Sequence, residues 1–177
     1  MNDIGTAYLE KTIKRFFVYK QMGDNTFEQL SIDAAFLYQP HQESNSIAII
    51  VQHMSGNMLS RWTDLLTTDG EKEWRQRDLE FEPRLFTKQE VLTSWESGWN
   101  CLFAALQSLT GSDLLKTVTI RGEDLSVLDA IQRQLAHYAS HVGQIVYLGK
   151  LMMRDQWQSL SIPKGQSDAY NQYLKKP

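Results

Sequence analysis

Four stretches of this 177-residue chain repeat apolar residues at steps of three and four, and that repeat limits the fold more than any other feature. The first runs from about Ile4 to Met22, with Tyr8, Leu9, Thr12, Phe16 and Tyr19 on one stripe and Lys11, Lys14 and Arg15 mostly outside it. Gly23-Asp24-Asn25 reads as a break or kink, and the Pro40-containing segment 31–45 as a loop. A second helix is predicted from Ser46 to about Leu66, with Ile47, Val51, Met54, Met58, Trp62 and Leu65 as its apolar face. Segment 67–86 lacks clear periodicity, and such length in a compact domain suits a crossover or a functional flap. Thr87 with Glu90 forms a capping box ahead of a third helix that carries Val91, Trp95, Trp99, Leu102 and Leu106 and stops near Gly111. Thr117–Ile120 and the turn-prone Arg121–Asp124 suggest a small hairpin. Ser126 caps the longest helix, Val127 to Met153, which spans roughly 40 Å. The tail, including a turn at Ser167–Leu174, reads as a surface element. Residues 1–177 thus read as one all-α domain, a four-helix bundle with a small hairpin before its last long helix.

Composition narrows the function classes. A net charge of −3 and a pI near 5.8 give no electrostatic footprint for nucleic acid. A single cysteine, Cys101, excludes an internal disulfide framework and a multi-cysteine zinc site. The start of the chain lacks the basic, then apolar, pattern of a signal peptide, and no apolar run is long enough for a membrane span. A cytoplasmic location without membrane contact is the expectation. Phosphate loops, nucleophile elbows and the H-E-x-x-H motif have no match in the sequence.

The four histidines carry the chemistry. His137 and His141 stand four apart on the longest helix, which puts both rings on one face, about a turn apart. His53, inside the second helix, offers a third imidazole across the bundle. Three neutral imidazoles suit one divalent ion, zinc or nickel foremost, and leave a position for water or substrate. All three sit at the margin of an apolar arc rather than in its middle, so the site belongs at the rim of the core. On pattern alone, solvated or hydrogen-bonded core histidines are the stronger reading of a bare His-x3-His pair.

The surroundings of the histidines add a resemblance. His137-Tyr138-Ala139-Ser140-His141-Val142-Gly143-Gln144-Ile145, followed by Tyr147-Leu148-Gly149-Lys150, resembles the last-helix motif of the DinB-like metalloenzyme superfamily. Segment 46–62 around His53, the run Thr67–Lys72 and the tryptophan-rich third helix are similar to one bacterial subgroup of it. The resemblance covers nearly the whole chain. It implies an up-down-down-up four-helix bundle with 67–86 as the crossover, a homodimer, and a metal triad of His53, His137 and His141. Some relatives in that superfamily transfer or isomerise groups with low-molecular-weight thiols such as bacillithiol, mycothiol or glutathione. The implied function is metal-assisted transfer of such a thiol to a small electrophile, the metal lowering the thiol pKa. Metal-assisted hydrolysis, a non-catalytic metal-binding or stress-related protein, and a purely structural bundle are the competing readings.

Other residues have two readings each. Gln144 shares the histidine face and either orients a ligand or satisfies the rim; Asn57, one turn after His53, has the same pair of roles. Arg61 falls in the apolar sector of its helix and either receives a cosubstrate carboxylate or pairs with an acid. Tyr138, Trp95 and Trp99 read as packing, Cys101 as a buried small apolar residue, and His41 as solvated. Trp62 and Trp74 read as cleft or dimer-contact residues. The charged run Glu71–Arg77 reads as solvated surface or as a border of the site.

Overall fold

Helical periodicity is realised as four long helices, seen in a computed structural model that describes residues 3–174. They are α1 (Ile4–Gln29), α3 (Ile47–Trp62), α4 (Lys88–Ser108) and α5 (Val127–Met153); two short helices, α2 (Asp33–Leu37) and α6 (Ser167–Leu174), complete the set. The chain is mostly helical, and its one sheet among the described residues is a two-stranded hairpin. The expected domain over 1–177 extends at both ends past the described residues. None of the described helices is long and apolar enough to cross a membrane.

Side-chain caps fix where the helices begin. Asp3 accepts from the Thr6 backbone N–H at 2.8 Å and Ser46 from Ile49 at 3.3 Å. The predicted capping box is present, with Thr87 accepting from Glu90 N–H at 3.2 Å and Glu90 from Thr87 N–H at 2.9 Å. Ser126 accepts from Asp129 N–H at 3.1 Å, so α5 starts and ends where its periodicity does.

Two helix boundaries differ from the sequence reading, and segment 31–45, read as a loop, holds the short α2. α1 runs through Gly23-Asp24-Asn25 to Gln29 instead of breaking near Met22. The tertiary contact explains it: the buried Trp95 ring lies where a Cβ on Gly23 would sit, and its indole N–H donates to Asp24 at 2.7 Å. The turn signal is thereby overridden by packing against α4. α3 stops at Trp62, not Leu66, because Thr63 is extended and Asp64 adopts φ 50°, its carbonyl accepting from Thr67 and Thr68. Leu65 is still buried, from the turn rather than the helix. Segment 67–86 is ordered around a 3-10 turn at Arg77–Phe81 that packs on α3, where the Gln52 amide donates to the carbonyls of Leu79, Glu80 and Glu82.

α3 packs on α4 and α1 on α5, while α3–α5 and α1–α4 contacts close the group. One aromatic from each long helix meets at the centre: Phe16, Trp62, Trp99 and Tyr138, all essentially inaccessible. Their rings pack edge-on or tilted, with Phe16 6.5 Å from Trp62 and 6.1 Å from Tyr138, and Trp99 6.0 Å from Tyr138. Trp62 is therefore a core residue and not a cleft or dimer contact, whereas Trp74 is exposed. Cys101 is half-buried beside Thr63 and Met58 rather than enclosed.

The hairpin pairs β1 (Thr117–Ile120) with β2 (Glu123–Ser126), Thr117 opposite Ser126 and Ile120 opposite Glu123. Its turn is only Arg121-Gly122, at φ 59° and 74°, the two-residue geometry that matches strand twist; Glu123 and Asp124 already belong to β2. The Asp69 carboxylate accepts from Arg121 and Gly122 N–H, each at 2.9 Å, and Gly70 N–H donates to Thr119 O at 2.7 Å. The hairpin and the 67–86 connection are thus fastened together.

Candidate metal centre

His53, Asn57 and Arg61 recur at steps of four on α3, and Arg133, His137 and His141 do so on α5. Where the two helices meet, these stripes bring the three predicted histidines together. The Nε2 atoms of His53 and His137 are 3.3 Å apart and those of His137 and His141 are 3.0 Å apart. All three potential ligand atoms lie within 4.8 Å of one another. His53 is 5% exposed and the other two are half-buried, which places the cluster at the rim of the core as its arc position implies.

The outer ring nitrogens are held. His53 Nδ1 donates to Glu80 Oε2 at 2.9 Å, while Arg75 grips the same carboxylate through Nε at 2.7 Å and Nη2 at 2.8 Å. Burial works against ionisation of Glu80, but the hydrogen bonds from His53 and Arg75 outweigh it and hold the carboxyl below its usual range. Gly56 makes room for this arrangement, since a Cβ there would overlap the Glu80 carboxylate. Phe81 stacks on the His53 ring at 4.9 Å. On α5, His141 Nδ1 donates to Gln144 Oε1 at 3.1 Å.

These bonds place a proton on each Nδ1 and turn the Nε2 of each ring toward His137. Burial, followed by the proximity of His141 and His53, pushes the His137 imidazole down to about 3. Burial also lowers His141, against the opposing effect of its bond to Gln144. Three imidazole nitrogens crowded toward one point form an arrangement that a cation relieves. Ligand nitrogens about 2.0–2.1 Å from a tetrahedral ion are about 3.4 Å apart, close to the spacing of two of the three pairs here, the third lying within 4.8 Å. The residues present fit a divalent metal, and the oriented second nitrogens are what such a ligand set needs.

The remaining candidates divide. Gln144 is at the cluster, on His141. Asn57 is turned to the core, its Oδ1 accepting from the Tyr138 hydroxyl at 2.8 Å, and that hydroxyl accepts from Trp62 Nε1 at 3.1 Å. Tyr138 is packing with one polar tether, as its position on the wheel implies. Arg61 is paired with an acid: its guanidinium donates to Glu71 at 2.8 Å and to the Gly70 carbonyl. His41 is exposed in its loop. The run 71–77 borders the site, with Arg75 buried and Glu71 half-buried.

Sequence reasoning reached Arg75 only as part of the run 71–77 and missed Glu80. The available signal was local, a lone acid between Leu79 and Phe81 in an otherwise solvated run, but its partner across the chain has no trace in periodicity.

No curated protein matches the chain. A family model described as "Protein of unknown function (DUF1572)" matches residues 3–166, a span that contains the three histidines together with Glu80 and Gln144. The chain belongs to the DUF1572 family.

Proposed function

We propose that this protein is a divalent-metal enzyme of the DinB-like type, with His53, His137 and His141 as ligands and a low-molecular-weight thiol as cosubstrate. The supporting observation is the convergence of three Nε2 atoms, each 3.0–3.3 Å from its neighbour, with the His53 and His141 rings oriented from behind by Glu80 and Gln144. Zinc or nickel suits the all-nitrogen donor set. A bound ion of this kind supplies Lewis acidity, lowering the pKa of a thiol or water placed beside it. The chain's own part is to disfavour protonation of His137 and His141 by burial, to orient the His53 and His141 rings through Glu80 and Gln144, and to bring all three together from α3 and α5. Glu80 adds a negative charge behind His53, which raises that ligand's basicity. The four long helices in up-down-down-up order, a homodimer and a cytoplasmic location belong to the same reading.

The test is metal content by mass spectrometry on untagged wild type and on His53→Ala, His137→Ala and His141→Ala. One ion per chain in wild type, lost in each variant, is the expected result. Folded wild type that takes up neither zinc, nickel nor manganese overturns the reading. The thiol half is tested on cobalt-substituted protein: bacillithiol, glutathione or cysteine should perturb its visible spectrum, and silence from all three at saturation removes the thiol.

A further inference from the structure

A polar cavity of about 210 Å³ opens beside His53 and His137, and five of its lining residues are arginines: Arg61, Arg75, Arg77, Arg121 and Arg133. No acidic side chain is part of that lining. The nearby carboxylates do not match this charge. Glu71 alone serves Arg61 at 2.8 Å, Arg75 at 3.1 Å and Arg121 at 3.2 Å. Glu80 is shared between Arg75 and His53. Asp69 spends its oxygens on backbone N–H groups. Arg77 and Arg133 have only solvent-exposed acids at 3.7 and 3.8 Å.

Among the described residues, two buried polar atoms in the lining also lack a partner. Arg61 is 4% exposed, and its Nε finds no acceptor; Gln134 is likewise 4% exposed, and its Oε1 finds no donor. A buried donor and a buried acceptor left open are costly in a finished interior, and a ligand that offers both an anionic oxygen and an N–H or O–H satisfies them. Arginine is the side chain suited to hold such an oxyanion in a fixed geometry. Elements distant in sequence build the cavity: α3 gives Arg61, the 67–86 connection gives Arg75 and Arg77, the hairpin turn gives Arg121, and α5 gives Arg133 and Gln134.

We propose that this cavity receives the anionic group, a carboxylate or a phosphoryl group, of a small molecule whose other end reaches the histidine cluster. The second half of that statement rests on the metal-centre reading; the anion site does not. It makes the substrate or thiol cosubstrate an acid.

Two measurements test the halves separately. The first follows the melting temperature of metal-free protein in acetate and in inorganic phosphate, with ionic strength matched by sodium chloride. A rise of about 2–4 °C in wild type is expected, absent from Arg121→Ala/Arg133→Ala, whose side chains are about half-exposed and dispensable for packing. A response to acetate assigns a carboxylate and a response to phosphate a phosphoryl group. No response to either, or the same rise in the double variant, overturns the site. The second titrates cobalt-loaded protein with 3-mercaptopropionate and 2-mercaptoethanol, read by the cobalt spectrum. The acid should bind about tenfold or more tightly, and the double variant should lose that preference while keeping its cobalt. Equal affinities overturn the placement of the anion beside the cluster. Failure to load cobalt defeats the metal reading while the first measurement still decides the anion site.

Discussion

Glu80 binds the 67–86 connection to the histidine cluster through a single carboxylate, and its effect is separable from that of the ligands. Glu80→Gln keeps an acceptor for His53 Nδ1 but removes the charge behind the ring; Arg75 retains Glu71 at 3.1 Å. Metal affinity should fall about 10- to 100-fold with the fold intact, measured by zinc competition against a chelator and by circular dichroism. Unchanged affinity would leave Glu80 as a partner of Arg75 only. Gly56→Ala probes the same contact with an opposite baseline. Alanine is favoured over glycine in a helix by about 1 kcal/mol, yet its Cβ meets the Glu80 carboxylate, so stability and zinc affinity should both drop. A higher melting temperature with unaltered affinity would show that the carboxylate moves aside freely. At this scale the spacing put His137 and His141 on one face, but the addition of His53 to them came from the resemblance of the surrounding motifs, not from periodicity. Glu80 was not legible, because a charge buried by a contact across 27 residues looks in sequence like any other solvated acid.

Helix starts follow from side chains one turn away, which is why the caps at Ser46, Thr87 and Ser126 and the span of α5 could be read directly. Helix ends and the α1 continuation depend on distant partners. Gly23 is the clearest case: locally a breaker, it is kept helical by Trp95 occupying the space a side chain would need. Gly23→Ala should therefore destabilise by about 1–3 kcal/mol despite the better helix propensity of alanine, seen as a lower urea midpoint at constant m-value. A stabilised variant would mean that the ring can retreat and that propensity governs the segment. The 67–86 connection shows the same dependence on partners. Its 3-10 turn has little periodicity of its own and is held by the Gln52 amide and by Asp69 reaching the hairpin, neither of which a window of sequence contains.

Across the whole molecule, the histidine cluster couples stability to proton concentration. An unfolded chain protonates His137 near its ordinary value of 6.5, whereas the folded protein keeps the ring neutral until about 3. Between those values the unfolded state binds more protons, so stability is complete above 6.5 and is lost as the pH falls toward 3. Glu80 and Glu71, held below their usual range in the folded state, act in the same direction lower in the window. The melting temperature of metal-free protein should accordingly decline from about pH 7 to about pH 5, and His137→Gln, which cannot titrate, should show a shallower slope whatever its absolute stability. Zinc sharpens the contrast, because it binds only the neutral imidazoles of the folded state and adds its binding free energy to folding at the higher pH. The zinc-saturated wild type should therefore melt well above the metal-free form near neutrality and converge on it in acid. Parallel slopes for wild type and His137→Gln would place the acid sensitivity in His141 and the carboxylates instead, leaving His137 without a part in it.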